Sequence, residues 1–241
     1  MAEMIIERVS SGIPELDKKL EGGFPENSTT AIIGAFGTGK STFGMQFLNE
    51  GLQNGEHCIL ISLDDDEEAM IRTASEFGWD FQRYVDEELL LLMKLTAIDI
   101  KTSILRIRSE LPRLFELFGA KRCVFDSITL FEMLFTGENE RRLIVYDLVQ
   151  VMRNSGATSV ITSELDSSNP HASRFGMIEY VSDGVIFLNY HRRAREKTIL
   201  LSIEITKMRR TKHSRDIMAY EVHRDGIKIT TDGAHSDIFK C

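Results

Sequence analysis

The chain has few prolines and no long apolar run, and both absences exclude classes of protein. Its four prolines are scattered over 241 residues, with no linker, low-complexity segment or internal repeat, which indicates one domain. No apolar run approaches the ~18 residues that a membrane-spanning helix needs, so we expect no membrane partner. The N-terminus lacks the basic and apolar regions of a signal peptide.

Cysteine is also scarce, and the overall charge is negative. Cys58, Cys123 and Cys241 have no metal-binding spacing, and two of them lie in apolar, strand-like runs. We therefore expect buried thiols in a reducing, cytoplasmic location. A net charge of −8 argues against bulk attraction to nucleic acid, although basic residues are concentrated between positions 192 and 215.

Residues 34–41 match the phosphate-binding loop G-x-x-x-x-G-K-[ST] in full. Glycines let successive backbone N–H groups turn toward an anion, Lys40 adds a positive charge, and Ser41 supplies a hydroxyl for magnesium. An apolar run precedes the loop and a helical pattern follows, so a helix N-terminus faces the phosphates. We expect a nucleoside triphosphate with Mg²⁺ to bind at Gly37, Thr38, Gly39, Lys40, Ser41 and Thr42.

Strand-like runs alternate with helical patterns up to about residue 184, and only strand patterns follow. The first set of strands lies at about 29–33, 57–63, 89–94, 121–126 and 158–163, and the helices at about 41–54, 67–77, 100–118 and 140–154. The later strands lie at 184–189, 198–206, 217–222 and 227–230. This predicts an α/β fold with a mainly parallel sheet flanked by helices and extended by C-terminal antiparallel strands.

A single domain over residues 1–241 accommodates these elements. We divide it into an N-terminal segment of about 1–28, a nucleotide-binding core of 29–190 and C-terminal strands of 191–235.

A second acidic position is expected to complete the metal site. The strand-like run 122–126 ends in Asp126. A buried strand that ends in a carboxylate is typical of the magnesium-binding position across the sheet from a phosphate loop. Asp126 would hold Mg²⁺ through water, and Ser127 would orient the attacking water. The alternative is a strand-end aspartate that only caps the next segment.

An acidic run, residues 64–68, follows the strand that comes after the phosphate-loop helix. Asp64 and Asp65 lie nearest the strand end, so either carboxylate could polarise water for attack on the γ-phosphate. Residues 66–68 look like the acidic first turn of the next helix, which the helix dipole favours.

These features, taken with several further motifs, resemble a single-domain member of the KaiC branch of the RecA/RadA superfamily. The motifs cover about 220 residues in order: 9–17 with 21–25, 74–80, 156–164, 180–185 and 207–214. The resemblance implies an ATPase that assembles as a homo-oligomeric, hexameric ring, with ATP bound between neighbouring subunits.

The resemblance also implies that a Lys-x-Arg block of one subunit reaches the phosphates on the next. Lys207 and Arg209 fill those positions, with Met208, Thr211 and His213 beside the same nucleotide. Such a pair would act in trans as an arginine finger. The alternative is a solvated basic edge strand that protects the sheet from aggregation.

Two departures from the family pattern bear on activity. The family's two catalytic glutamates align with Asp64 and Asp65, whose shorter side chains fall roughly 1–1.5 Å short, a misplacement that can cost about 100-fold in rate. We therefore expect slow ATP hydrolysis. The second departure concerns the family's double-domain circadian clock protein, which carries a phosphorylated Ser-Thr pair. Glu179 and Tyr180 align with that pair, so we expect no circadian phosphorylation cycle in this chain.

Three functions remain open from the sequence. The first is a slow, ring-forming ATPase that acts as a nucleotide-dependent switch or scaffold for an unknown protein partner. The second is a RadA-paralogue-like recombination or repair accessory that binds single-stranded DNA through residues 166–176 or the basic run 192–197. We rank it second because 166–176 offers only one Arg, one His and one Phe. The third is a non-catalytic protein whose bound ATP only holds subunits together.

Overall fold

The computed structural model describes residues 6–96, 104–193 and 198–230. Within these ranges the strands are β1 (Arg8–Val9), β2 (Phe24–Pro25), β3 (Thr29–Gly34), β4 (Cys58–Ser62), β5 (Leu90–Lys94), β6 (Arg122–Asp126), β7 (Thr158–Glu164), β8 (Gly184–Arg193), β9 (Thr198–Met208), β10 (Ile217–His223) and β11 (Gly226–Ile229). The helices are α1 (Pro14–Lys19), α2 (Lys40–Gln53), α3 (Glu67–Glu76), α4 (Phe81–Asp86), α5 (Ile104–Phe118), α6 (Ile128–Glu132), α7 (Glu138–Asn154) and α8 (Ile178–Val181).

Nine of the strands form one mixed sheet in the order β11-β10-β9-β8-β3-β7-β6-β4-β5. The six strands from β8 to β5 are parallel, and β9, β10 and β11 continue from β8 as an antiparallel extension. β1 and β2 form a separate antiparallel pair. The predicted α/β architecture with C-terminal antiparallel strands is confirmed.

Each face of the sheet carries its own apolar core. Ile32 of β3 packs with α2 residues such as Phe43 on one face, while Ala31 and Ile33 pack with residues of α5, α6 and α7 on the other. All six residues of β3 are buried, as expected for a central parallel strand covered on both faces. Because both faces are covered, access to the sheet is left at its two ends, where the strands meet their loops.

Some sequence-based expectations can be compared directly with these elements. Cys58 and Cys123 are buried free thiols, as predicted, whereas Cys241 lies outside the described residues. The start of the helix predicted over 100–118 and most of the basic run 192–197 also lie outside them. In the described part of the chain, no helix combines the length and apolarity needed to span a membrane.

Candidate functional site

The phosphate-binding loop connects the end of β3 to the start of α2. Thr38 Oγ1 donates to the carbonyl oxygen of Ala35 at 2.7 Å, which closes the turn. Gly37 and Gly39 have φ angles of +75° and +84°, a region that residues with a Cβ rarely adopt. A Cβ on Gly34 would lie 2.6 Å from Thr38 Oγ1. The glycines are therefore required by the loop's geometry, and the cradle suits an anion held by backbone N–H groups.

Lys40 begins α2 and points back into the loop. Its Nζ donates to the carbonyl oxygen of Ala35 at 3.0 Å. Burial lowers the pKa of Lys40, and the nearby carboxylates of Asp126 and Glu164 partly offset that effect. Ser41 and Thr42 follow in the first turn of α2 and are half-buried.

Asp126 ends β6, two strands from the phosphate loop, because β7 lies between β3 and β6. Thr162 of β7 donates a hydrogen bond from its Oγ1 to Asp126 Oδ1, which fixes the carboxylate. The donor set of Ser41 and Asp126 consists of oxygen atoms, which Mg²⁺ prefers. Among the described residues, no cluster of three or more His, Cys, Asp or Glu could hold a metal without other ligands.

Asp64 and Asp65 follow β4, whose last residue, Ser62, pairs with Asp126. The backbone N–H groups of Asp64 and Asp65 donate to Ser62 Oγ at 3.2 and 3.0 Å. Asp64 is exposed and Asp65 is half-buried. Burial raises the pKa of Asp65, as do the neighbouring Asp64, Asp126 and Asp66, whereas Lys94 opposes the shift. Because Ser62 pairs with Asp126, Asp64 and Asp65 follow at the same end of the sheet as Asp126, and we call these three residues the acidic cluster.

The rest of the acidic run has the structural role that its sequence indicated. Asp66 is the N-cap of α3, and its side chain accepts a hydrogen bond from the N–H of Ala69 at 2.9 Å. Glu67 and Glu68 lie exposed in the first turn.

Glu164, the last residue of β7, is a site residue that the sequence reasoning did not single out. It pairs with Gly34 at the start of the phosphate loop, and its carboxylate is close enough to act on Lys40. Its N–H donates to Thr129 Oγ1 at 2.8 Å, and its carboxylate lies 3.2 Å from the guanidinium of Arg174. The signal was available, because Glu164 ends a buried strand next to the strand that Asp126 ends.

Tyr220 also contributes to the site from the antiparallel extension. Its Oη donates to the carbonyl oxygen of Thr38, and its ring is buried against the core that contains α2. Burial raises the pKa of Tyr220, so the hydroxyl keeps its proton and remains a donor.

Lys207 and Arg209 lie at the opposite end of the sheet from the phosphate loop. Arg209 lies 3.5 Å from the carboxylate of Asp183, which accepts a hydrogen bond from the N–H of Thr29 at the first residue of β3. Five residue steps along β3 separate Thr29 from Gly34, about 17 Å at ~3.3 Å per residue. Lys207 Nζ donates to the carbonyl oxygens of Glu179 in α8 and of Ser182. Neither residue reaches the phosphate loop of its own chain.

The other residues of the predicted trans-acting block differ in their surroundings. Met208 is buried in the core, so only its backbone could contact a nucleotide. Thr211 Oγ1 accepts a hydrogen bond from Arg8 at 2.6 Å, and His213 Nδ1 lies 2.8 Å from the carbonyl oxygen of Ser214. Thr211 and His213 follow Arg209 in the chain, and the partners of their side chains, Arg8 and Ser214, lie outside the phosphate loop.

The segment 166–176 is the loop through which the alternative function would bind DNA, and two of its three distinctive side chains contact other residues of the chain. Arg174 forms an ion pair with Glu164. Phe175 stacks against the guanidinium of Arg141, whose Cζ is 4.1 Å from the ring centroid. His171 is exposed.

Comparison with known proteins agrees with this geometry. The KaiC ATPase family model matches residues 9–234. A UPF0273 protein from Methanopyrus kandleri is 30% identical, over 94% of this chain and 93% of that protein. The circadian clock oscillator protein KaiC from Prochlorococcus marinus is 29% identical over 96% of this chain, which spans only 47% of that longer protein.

A solved structure supports the same assignment. The KaiC-like protein from the hyperthermophilic archaeon Pyrococcus horikoshii superposes with a TM-score of 0.83 at 31% identity, covering 94% of this chain and 100% of that one. Family model, relatives and fold agree over almost the whole chain. The chain therefore belongs to the KaiC family of ATPases.

Proposed function

We propose that the protein is a slow Mg²⁺-dependent ATPase that forms rings and acts as a nucleotide-dependent switch or scaffold. ATP would lie between two copies of the chain. One copy contributes the phosphate loop and the acidic cluster, and the next contributes Lys207 and Arg209. The partner that reads the switch would be another protein.

The observation that carries the proposal is the separation of the two sets of residues within one chain. Lys207 and Arg209 lie at one end of the sheet and the phosphate loop lies at the other. A head-to-tail contact between two copies would bring the two sets together, and repetition of that contact closes a ring if the rotation permits. Arg209, whose side chain is 50% exposed, is available for such a contact.

On the loop side, this chain's residues would bind and orient the triphosphate. The N–H groups of Gly37 to Thr42 and the Lys40 ammonium would hold the phosphates. Ser41 and Asp126 would hold Mg²⁺, which neutralises phosphate charge when bound. Glu164, which pairs with Gly34 at the start of the loop, would contact the terminal phosphate or its attacking water.

Asp65 is the better placed of the two predicted bases. Its raised pKa makes it a stronger proton acceptor than an ordinary aspartate, and it is half-buried whereas Asp64 is exposed. Its side chain is one methylene shorter than a glutamate, so the proton transfer that it assists would be slow. Arg209 of the next copy would stabilise charge on the transferred phosphoryl group.

Light scattering with and without Mg²⁺·ATP tests the assembly, and single-turnover hydrolysis of the same samples tests the chemistry. We expect ATP to convert monomers or small oligomers into a larger closed species that hydrolyses ATP slowly. A monomer that is unchanged in saturating Mg²⁺·ATP would contradict the trans arrangement. Turnover of several ATP per second would contradict the slow rate. Assembly with no turnover at all would favour the non-catalytic alternative.

A further inference from the structure

Two cations hold the carboxyl end of the short helix α8. Lys207 Nζ donates to the carbonyl oxygens of Glu179 and Ser182 at 2.7 and 2.6 Å, and Arg153 donates to that of Val181 at 2.9 Å. The last carbonyls of a helix have no partner inside it, and cations there are favoured by the helix dipole. The position of α8 therefore depends on Lys207, one of the two residues proposed to leave for the neighbouring subunit.

The side chain of Glu179 ties the same helix to the loop that follows β7. Its Oε2 accepts a hydrogen bond from Ser173 Oγ at 2.8 Å, and its Oε1 accepts one from the Ser173 N–H. Ser173 is buried and forms an isolated bridge with Leu165. One carboxylate thus accepts from both hydrogen-bond donors of a buried residue next to the end of β7.

Beyond Ser173 the contacts continue to the phosphate site of the same chain. The N–H of Arg174 donates to the carbonyl oxygen of Glu164 at 2.9 Å, and its guanidinium lies 3.2 Å from the Glu164 carboxylate. Glu164 pairs with Gly34 at the start of the phosphate loop, and its charge acts on Lys40 at the end of that loop. A continuous set of contacts therefore connects Lys207 at one end of the sheet with Glu164 and the phosphate loop at the other.

We propose that Glu179 is a positioning residue that couples the two ATP sites to which each subunit contributes. This inference rests on the proposed function, because it requires Lys207 to contact phosphates bound to a second copy. When those phosphates bind, Lys207 leaves the carbonyls of α8 for a stronger, charge-assisted contact. The helix then loses a cap, Glu179 withdraws from Ser173, and Arg174 releases Glu164 toward the nucleotide of its own chain.

The electrostatics of Lys207 support this exchange of partners. Burial lowers the pKa of Lys207 and the adjacent Arg209 lowers it further, whereas Asp183 and Glu179 oppose the shift less strongly. The ammonium is therefore incompletely stabilised where it lies, and a phosphate would stabilise it more. Carbonyl dipoles hold Lys207 in place only while no stronger acceptor is near.

Coupling of this kind is measurable as cooperativity, and the test is the Glu179→Gln substitution. Glutamine keeps the size of the side chain but replaces one acceptor oxygen with an NH₂ group, which cannot accept from Ser173. For the wild-type protein we expect positive cooperativity in ATP binding and hydrolysis, with later ATP molecules bound at least ~5-fold more tightly than the first. For Glu179→Gln we expect independent sites, with first-site affinity unchanged.

A matched control and a second readout separate coupling from loss of structure. Glu76→Gln removes an exposed carboxylate from the end of α3 and should leave the cooperativity unchanged. Amide exchange at Ser173 should accelerate when ATP is added to the wild-type assembly, and should be fast with or without ATP in Glu179→Gln. Should Glu179→Gln not fold, Ser173→Ala removes only the Oγ contact and should reduce the cooperativity partly.

The outcomes distinguish this inference from the proposed function beneath it. Equal cooperativity in the wild-type protein and Glu179→Gln would overturn the coupling, as would non-cooperative ATP binding by an assembled wild-type protein. Both results would leave the shared ATP site intact. A wild-type protein that takes up no ATP would overturn both proposals.

Discussion

The hydroxyl of Tyr220 donates a hydrogen bond to the carbonyl oxygen of Thr38, so a residue of β10 holds the phosphate loop in place. The contact joins positions 182 residues apart in the sequence. The same extension packs against α2 through the apolar core that Tyr220 and Ile227 share with Phe43, so β10 and β11 support both the loop and the helix that follows it.

Replacing Tyr220 with phenylalanine removes this hydrogen bond and keeps the buried ring. We expect ATP affinity to fall about 3- to 10-fold, the effect of one hydrogen bond that orders a binding loop. Calorimetric titration with ATP measures the change. Tyr146→Phe, at an exposed position of α7, serves as the control. Unchanged affinity in Tyr220→Phe would show that the loop holds its shape without β10.

Lengthening the carboxylate at position 65 should speed hydrolysis. Asp65→Glu restores the missing methylene, and we expect single-turnover hydrolysis to accelerate by up to about 100-fold. Asp64→Glu should have a smaller effect, because Asp64 is exposed and Asp65 is not. Asp86→Glu, on the surface of α4, controls for the added methylene. A rate that stays the same or falls in Asp65→Glu would remove Asp65 as the base.

Asp126 should govern how strongly ATP binding depends on magnesium. In Asp126→Asn the amide oxygen still accepts from Thr162, so the fold is expected to survive. Loss of the charge should weaken magnesium affinity by about 10- to 100-fold. Titration of ATP binding with Mg²⁺, compared with an EDTA-treated sample, measures this. If the magnesium dependence of the variant matched that of the wild-type protein, Asp126 would be only a strand-end cap.

Glu132 should make the stability depend on pH. Its carboxyl group is buried, and within the described residues neither of its oxygens has a hydrogen-bond partner. Burial raises its pKa to about 8; Glu179 adds to the shift and Arg141 opposes it. Because the pKa of Glu132 is higher in the folded state than in the unfolded state, the protonated carboxyl group stabilises the folded protein. This contribution is complete below about pH 4.5 and is lost as pH rises through about 8.

Denaturation with urea across this pH range tests the effect. The free energy of unfolding of the wild-type protein should fall by up to about 1.4 kcal/mol per pH unit between pH 5 and 8. Glu132→Gln cannot ionise, so its slope over the same range should be smaller by that amount. Parallel curves for the two proteins would mean that Glu132 ionises normally.

The local parts of the site could be predicted from the sequence because each is encoded in a few adjacent residues. The phosphate loop needs glycines at fixed positions, and Asp126 follows four buried strand residues. Asp66 is followed by Glu67 and Glu68, as expected for the start of a helix. Each of these patterns reflects a local backbone requirement that holds whatever the rest of the fold.

Contacts between distant segments could not be predicted in this way. Nothing in the sequence around Lys207 indicates that its ammonium caps α8, and nothing around Tyr220 indicates the carbonyl of Thr38. The helices α4, α6 and α8 have only four to six residues, too few for an apolar periodicity to appear. The position of Met208 between Lys207 and Arg209 predicts a nucleotide contact, but its side chain lies in the core.

The most direct test of a shared ATP site is a mixing experiment. Lys40→Ala removes the phosphate-loop charge and Arg209→Ala removes the residue supplied in trans, so each variant alone should be inactive. In a 1:1 mixture, about a quarter of the interfaces would combine the intact loop of one variant with the intact Arg209 of the other. We expect hydrolysis to return to about that fraction of the wild-type rate. A co-assembled mixture that stays inactive would contradict the shared site.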